Sequence, residues 1–165
     1  MKTDLRIRNP RQWNLKLLFW CLLMSAGFIS CKKEMKTSDV YTLKQWKVNL
    51  TPSDVVPAVA GRTDHAVAVF YLMTDNKLYY YLYFDQALNN NDTPTKAIVY
   101  TGASGSNGTV LIELNNGAFS STREVKGSVA VSASTINDLN TKTNYLQIAS
   151  SQQPNGLVRG DMQSY

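Results

Sequence analysis

Sulfur and imidazole chemistry are nearly absent from this chain. Of its 165 residues, two are cysteine and one is histidine. Both cysteines, Cys21 and Cys31, lie at the N-terminal end, so the remainder holds no thiol for a disulfide, a zinc-thiolate site or a cysteine nucleophile. A single histidine, His65, excludes a multi-histidine metal centre and leaves only one residue around which a histidine triad could form. Charge of one sign is also scarce once position is considered. The formal net charge is +5, but residues 1–30 hold five of the 17 Lys and Arg and one of the 12 Asp and Glu, leaving 12 against 11 beyond them. A nearly neutral domain offers no electrostatic footprint for nucleic acid. Asp54, Asp64, Asp75, Asp85 and Asp92 are scattered through loops without the spacing of a calcium loop. No metal, cofactor or catalytic carboxylate pair is therefore expected, and the primary expectation is a protein that is not an enzyme.

Long apolar runs are missing too, and the longest is informative. Leu17 to Ile29 is a thirteen-residue, mainly apolar stretch following a segment that carries Lys2, Arg6, Arg8, Arg11 and Lys16. A membrane-spanning helix needs about 20 apolar residues, so this run reads as the h-region of a signal peptide. It ends in Phe28-Ile29-Ser30-Cys31, which resembles the lipobox of bacterial lipoproteins. The following Lys32-Lys33-Glu34 resembles the polar start of Bacteroidetes-type lipoproteins. The resemblance implies cleavage before Cys31, lipidation of its thiol, and a membrane partner reached through that lipid at the outer membrane or cell surface. Multiple acyl chains anchor stably because each buried methylene contributes about 0.8 kcal/mol. The expected organisation is a signal peptide over residues 1–30, a lipidated tether over 31–39 and a β domain over 40–165. Lys32 to Asp39, fully extended, would reach about 28 Å at most.

Within 40–165 no segment sustains helical periodicity and no internal repeat is found. Trp46, Val48 and Leu50 alternate with polar residues as in a half-buried strand. The strongest local signal is a hairpin formed by Ala66 to Met73 and Leu78 to Phe84. A slip of one residue would send every side chain to the other face, so parity selects the register. A three-residue loop Thr74-Asp75-Asn76, with Asn76 left-handed, sets Phe70 opposite Tyr80 and Leu72 opposite Leu78. That places Ala68, Phe70, Leu72, Leu78, Tyr80, Leu82 and Phe84 on a core face. Val67, Val69, Tyr71, Tyr79, Tyr81 and Tyr83 share the other.

Further strands are expected near Ala97 to Thr101, Val110 to Leu114, Glu124 to Val131, Asn144 to Ser150 and Leu157 to Met162, with one helical turn from Ser134 to Leu139 capped by Ser134. The expected fold class is all-β, a Greek-key β-sandwich or barrel of about eight short antiparallel strands.

Several motifs, taken in order, resemble the CHRD domain, named for chordin. Val56-Pro57, Ala68 with Phe70, and Leu78 with Tyr80 match its first half. Gly102, Gly105, Asn107, Gly108 and Val110 match its glycine loop; Tyr145 opens the penultimate strand; Pro154, Gly156, Arg159 and Gly160 match its close. The similarity runs from about Trp46 to Met162. The family pattern has histidines where this chain has Ile98, Tyr100 and Ala149, so any metal or ligand chemistry of those histidines is missing here.

The candidate sites divide into two groups. Tyr71, Tyr79, Tyr81 and Tyr83 form a candidate binding face for a protein or glycan, since tyrosine offers a large amphipathic surface at low entropic cost. The alternative is packing beneath another strand or loop. Gly102, Gly105, Asn107, Gly108, Arg159 and Gly160 are family-motif residues expected to be structural. The glycine loop lacks a P-loop lysine and a following helix, so tight-turn structure is favoured over an anion cradle. Arg159-Gly160-Asp161 spells an integrin-recognition tripeptide, but it sits within an expected strand. The expected function is that of a lipid-anchored, non-catalytic binding or structural module. A metal-dependent or hydrolytic enzyme of the periplasm or cell surface is the alternative.

Overall fold

Trp46, Val48 and Leu50 point inward from the first strand, β1 (Thr42–Leu50), and set the alternation that the rest of the fold follows. The computed structural model describes residues 39–114, 119 and 123–165. The leader, Cys31 and the tether up to residue 38 lie outside the described residues. After β1 come β2 (Ala66–Met73), β3 (Lys77–Phe84), β4 (Pro94–Thr101), β5 (Thr109–Glu113) and β6 (Glu124–Ala130). A helix, α1 (Ala133–Thr141), precedes β7 (Asn144–Ser150), β8 (Val158–Asp161) and the two-residue β9 (Gln163–Ser164). The strands form a five-stranded sheet in the order β6-β3-β2-β1-β9 and a four-stranded sheet in the order β5-β4-β7-β8. All recorded pairings are antiparallel. The architecture is an all-β sandwich.

The β2–β3 hairpin adopts the register expected from parity, with Phe70 opposite Tyr80 and Leu72 opposite Leu78. Asn76 takes the left-handed conformation at φ 58°. Asparagine tolerates this region better than most residues. Ala68, Phe70, Leu72, Leu78, Tyr80, Leu82 and Phe84 are all buried, and they pack in one cluster with Ala97, Val99, Leu146, Ile148 and Val158 of the opposing sheet. Burying each large apolar side chain contributes about 1.5–3 kcal/mol relative to exposure. Tyr80 takes its phenol into this core by donating to the Leu114 carbonyl. Its neighbour across the β3–β6 ladder is Gly127, where a Cβ would lie 2.6 Å from the phenol oxygen. Burial pushes the Tyr80 phenol pKa up.

One local expectation needs correction. The helix covers nine residues, and its cap is Ser132, whose Oγ accepts from the Thr135 amide at 3.1 Å. Ser134 lies inside the helix. At the other end, Asn144 Nδ2 donates to the carbonyls of Asp138 and Lys142 at 3.1 and 2.8 Å. The Asp138 carbonyl also accepts from the Lys142 amide at 3.0 Å, so Asn144 adds a second donor at the helix terminus. A short ninth strand, β9, pairs Gln163 with Lys47 and Ser164 with Trp46, in keeping with the expected count of about eight. It carries the chain from the four-stranded sheet to the edge of the five-stranded one.

The sheets are also joined where β8 passes the end of β1. Thr51 and Arg159 exchange backbone hydrogen bonds at 2.9 and 3.0 Å. A Cβ on Gly160 would lie 1.9 Å from the Asn49 carbonyl oxygen, so only glycine permits this approach.

Candidate binding surfaces

Alternation along β2 and β3 places Tyr71, Tyr79, Tyr81 and Tyr83 on the outer face of the five-stranded sheet. Cross-strand pairing sets Tyr71 beside Tyr79, and Ser128, Lys126 and Glu124 of β6 opposite Tyr79, Tyr81 and Tyr83. Gln45 and Lys47 of β1 flank Tyr71 and Val69. Tyr79 is 41% exposed, and the other three tyrosines are half-buried. The rings of Tyr81 and Tyr83 lean together at a centroid separation of 5.8 Å. A hydrogen bond to Glu124 raises the Tyr81 phenol pKa. The face thus combines aromatic area with hydroxyl, amide, cationic and anionic groups, and among the described residues none of its four tyrosines is buried.

The glycine loop lies at one end of the four-stranded sheet. Gly102 and Gly108 close its neck, and a Cβ on Gly108 would lie 2.0 Å from the Thr101 carbonyl oxygen. Gly105 forms part of the turn at φ +74°. The Gly108 amide donates to the Tyr145 hydroxyl at 2.9 Å, and Asn107 Nδ2 donates to the Val56 carbonyl at 3.3 Å. The loop is thereby tied to β7 and to the Val56-Pro57 turn.

Beneath the loop runs a row of stacked groups. Tyr100 and Tyr145 are parallel at 5.2 Å, and the Arg159 guanidinium sits 3.5 Å from the Tyr145 ring centroid. Arg159 Nη2 donates to the Ala103 carbonyl at 3.3 Å. Burial, followed by the charge of Tyr145, raises the Tyr100 phenol pKa. Arg159 is 1% exposed and Gly160 is buried too, which removes Arg159-Gly160-Asp161 as an exposed adhesion tripeptide.

Two further polar groupings were not apparent from the sequence. Arg62 Nε lies 2.6 Å from Asp64 and Nη2 lies 3.1 Å from Asp92, with all three side chains at most 4% exposed. Asp92 accepts from the hydroxyls of Ser150 and Ser151 at 2.6 and 2.8 Å and from the amides of Gln152 and Thr93 at 3.1 and 2.8 Å. Asp64 accepts from the Asn89 amide at 2.8 Å. Partners at this density make the network an internal clamp rather than an open site. The second grouping is the exposed pair of His65 Nδ1 and Asp85, 2.5 Å apart. His65 stands immediately before β2. No hydroxyl nucleophile bonds this imidazole among the described residues, and no cluster of three or more metal-ligating side chains occurs among them.

Compared with protein families, residues 46–162 match the CHRD domain. The chain belongs to the CHRD domain family. No curated protein and no solved structure matches it. The CHRD motif residues of this chain converge in the fold. The glycine loop, Tyr145, the Val56-Pro57 turn and Arg159-Gly160 are far apart in sequence but meet at one end of the sandwich. Register also places the three CHRD histidine positions together. Ile98 pairs with Gln147, Tyr100 pairs with Tyr145, and Lys96 pairs with Ala149. Ile98, Tyr100 and Ala149 therefore share the outer face of the four-stranded sheet with Tyr145 and Arg159. In this CHRD domain that face carries an aliphatic, a phenol and a methyl group where the family pattern carries imidazoles.

Proposed function

We propose that this CHRD domain is a non-catalytic binding module, held at a bacterial outer membrane or cell surface by lipid on Cys31, with Tyr71, Tyr79, Tyr81 and Tyr83 as its recognition face. The observation that carries the reading is the open tyrosine face. Those rings present aromatic area beside Gln45, Lys47, Lys126 and Glu124, a mixture suited to a glycan or a protein partner. A solvated sheet face is ordinarily dominated by charged and small polar side chains. Four tyrosines there call for a reason outside the fold.

The test is titration of the purified protein with a panel of soluble polysaccharides and envelope proteins, followed by tyrosine fluorescence, with Tyr79→Ala and Tyr81→Ala variants alongside. At least a tenfold loss of affinity is expected in both, with an unchanged circular dichroism spectrum. Wild-type affinity in both variants for a partner of the parent protein would remove this face from the recognition surface.

A further inference from the structure

Arg159 is a buried cation with an unfilled donor. Its Nη1 has no hydrogen-bond partner, and none of the ion pairs among the described residues includes it. Removing a charged group from water is expensive unless hydrogen bonds and opposite charge replace the solvent. The Tyr145 ring and the Ala103 carbonyl supply only part of that replacement.

Arg159 also lines a cleft of about 430 Å³, bordered by Thr51, Ser53, Asp54, Ser104, Gly105 and Asp161 among others. That size falls in the range of small-ligand sites. Asp161 lies two residues along β8 from Arg159, on the same side of the strand and about 7 Å away. Its carboxylate has no side-chain partner among the described residues. Asp54 is held in place by the Thr51 hydroxyl at 2.9 Å.

The cleft thus presents one unsatisfied cation and two carboxylates. A phosphate dianion would meet both aspartates unfavourably, while a neutral ligand would leave the guanidinium charge unanswered. A molecule with one charge of each sign suits all three groups. We propose that the cleft binds a small zwitterion of the amino-acid or short-peptide class, with its carboxylate on Arg159 Nη1 and its ammonium group towards Asp161 and Asp54. Nη1 is shut off from bulk water, so this binding mode requires the Ser104-Gly105 rim of the glycine loop to move aside. This site lies where the end of β1, β8 and the glycine loop meet and rests on nothing assumed about the tyrosine face.

Calorimetric titration of the detergent-solubilised full-length protein tests the idea with four probes: alanylalanine, its N-acetyl form, its C-terminal amide and inorganic phosphate. Alanylalanine is expected to bind, and blocking either terminus is expected to weaken it at least tenfold. Asp161→Asn should weaken alanylalanine at least fivefold while leaving the melting temperature near the parent value. It is the deciding variant, because replacing the buried Arg159 endangers the fold. Absence of heat with alanylalanine, equal affinity for the blocked forms, tighter binding of phosphate, or full affinity in Asp161→Asn would each overturn the proposal.

Discussion

Asp92 shows how one carboxylate can hold three loops together. Burial pushes its pKa up, but hydrogen bonds from Ser150, Ser151, Gln152 and Thr93 outweigh that and lower it from 3.8 to about 2. Its partner Arg62 is shifted upward, chiefly by its hydrogen bond to Asp64 against the opposing effect of burial. A carboxyl that holds its proton less tightly when folded stabilises the fold above its unfolded pKa. That contribution is lost as pH falls from about 4 through about 2. The shift corresponds to stabilisation on the order of 2 kcal/mol at neutral pH. Urea unfolding as a function of pH should therefore show a decline across this window. Asp92→Asn is expected to be less stable at neutral pH and to have a flatter profile there. An unchanged midpoint and slope would show that the clamp contributes nothing.

At the scale of elements, the glycine loop separates two roles that look identical in sequence. Gly108 is required by space, because its added Cβ would collide with the Thr101 carbonyl. Gly105 is required only by its left-handed backbone. Gly108→Ala is expected to cost about 3 kcal/mol as the loop neck is forced open. Gly105→Ala should cost about 1 kcal/mol, the conformational penalty alone. Thermal denaturation of the two variants would test the distinction, and equal losses would contradict it. The β2–β3 hairpin behaves differently, because its register follows from alternation and a left-handed Asn76, both local properties. The helix boundary was less legible: the sequence pointed to Ser134 as the cap, and the backbone turn places the cap two residues earlier, at Ser132.

For the whole molecule, the charge balance and thiol-free domain concentrate attention on the N-terminal end. No helix among the described residues is long and apolar enough to cross a membrane. The anchoring proposal therefore rests on the Leu17 to Ile29 run and on Cys31. Cys31→Ser, expressed with the leader intact, is expected to move the protein from the membrane fraction to the soluble fraction and to abolish incorporation of labelled palmitate. Retention in membranes with unchanged electrophoretic mobility would refute lipid anchoring.

Sequence by itself determined the all-β class, the hairpin register, the two faces of β2 and β3, and the scarcity of cysteine and histidine. These depend on composition and on an alternation that each strand carries within a few residues. Tertiary structure alone decided which distant side chains meet. Arg62 reaches Asp92 thirty positions away, and Asp92 reaches Ser150 another 58 away. Arg159 finds Tyr145 rather than a carboxylate, and its place under the glycine loop sets it in the wall of a cleft. Such meetings follow from how the sheets stack and where the loops fold back, which no local periodicity encodes.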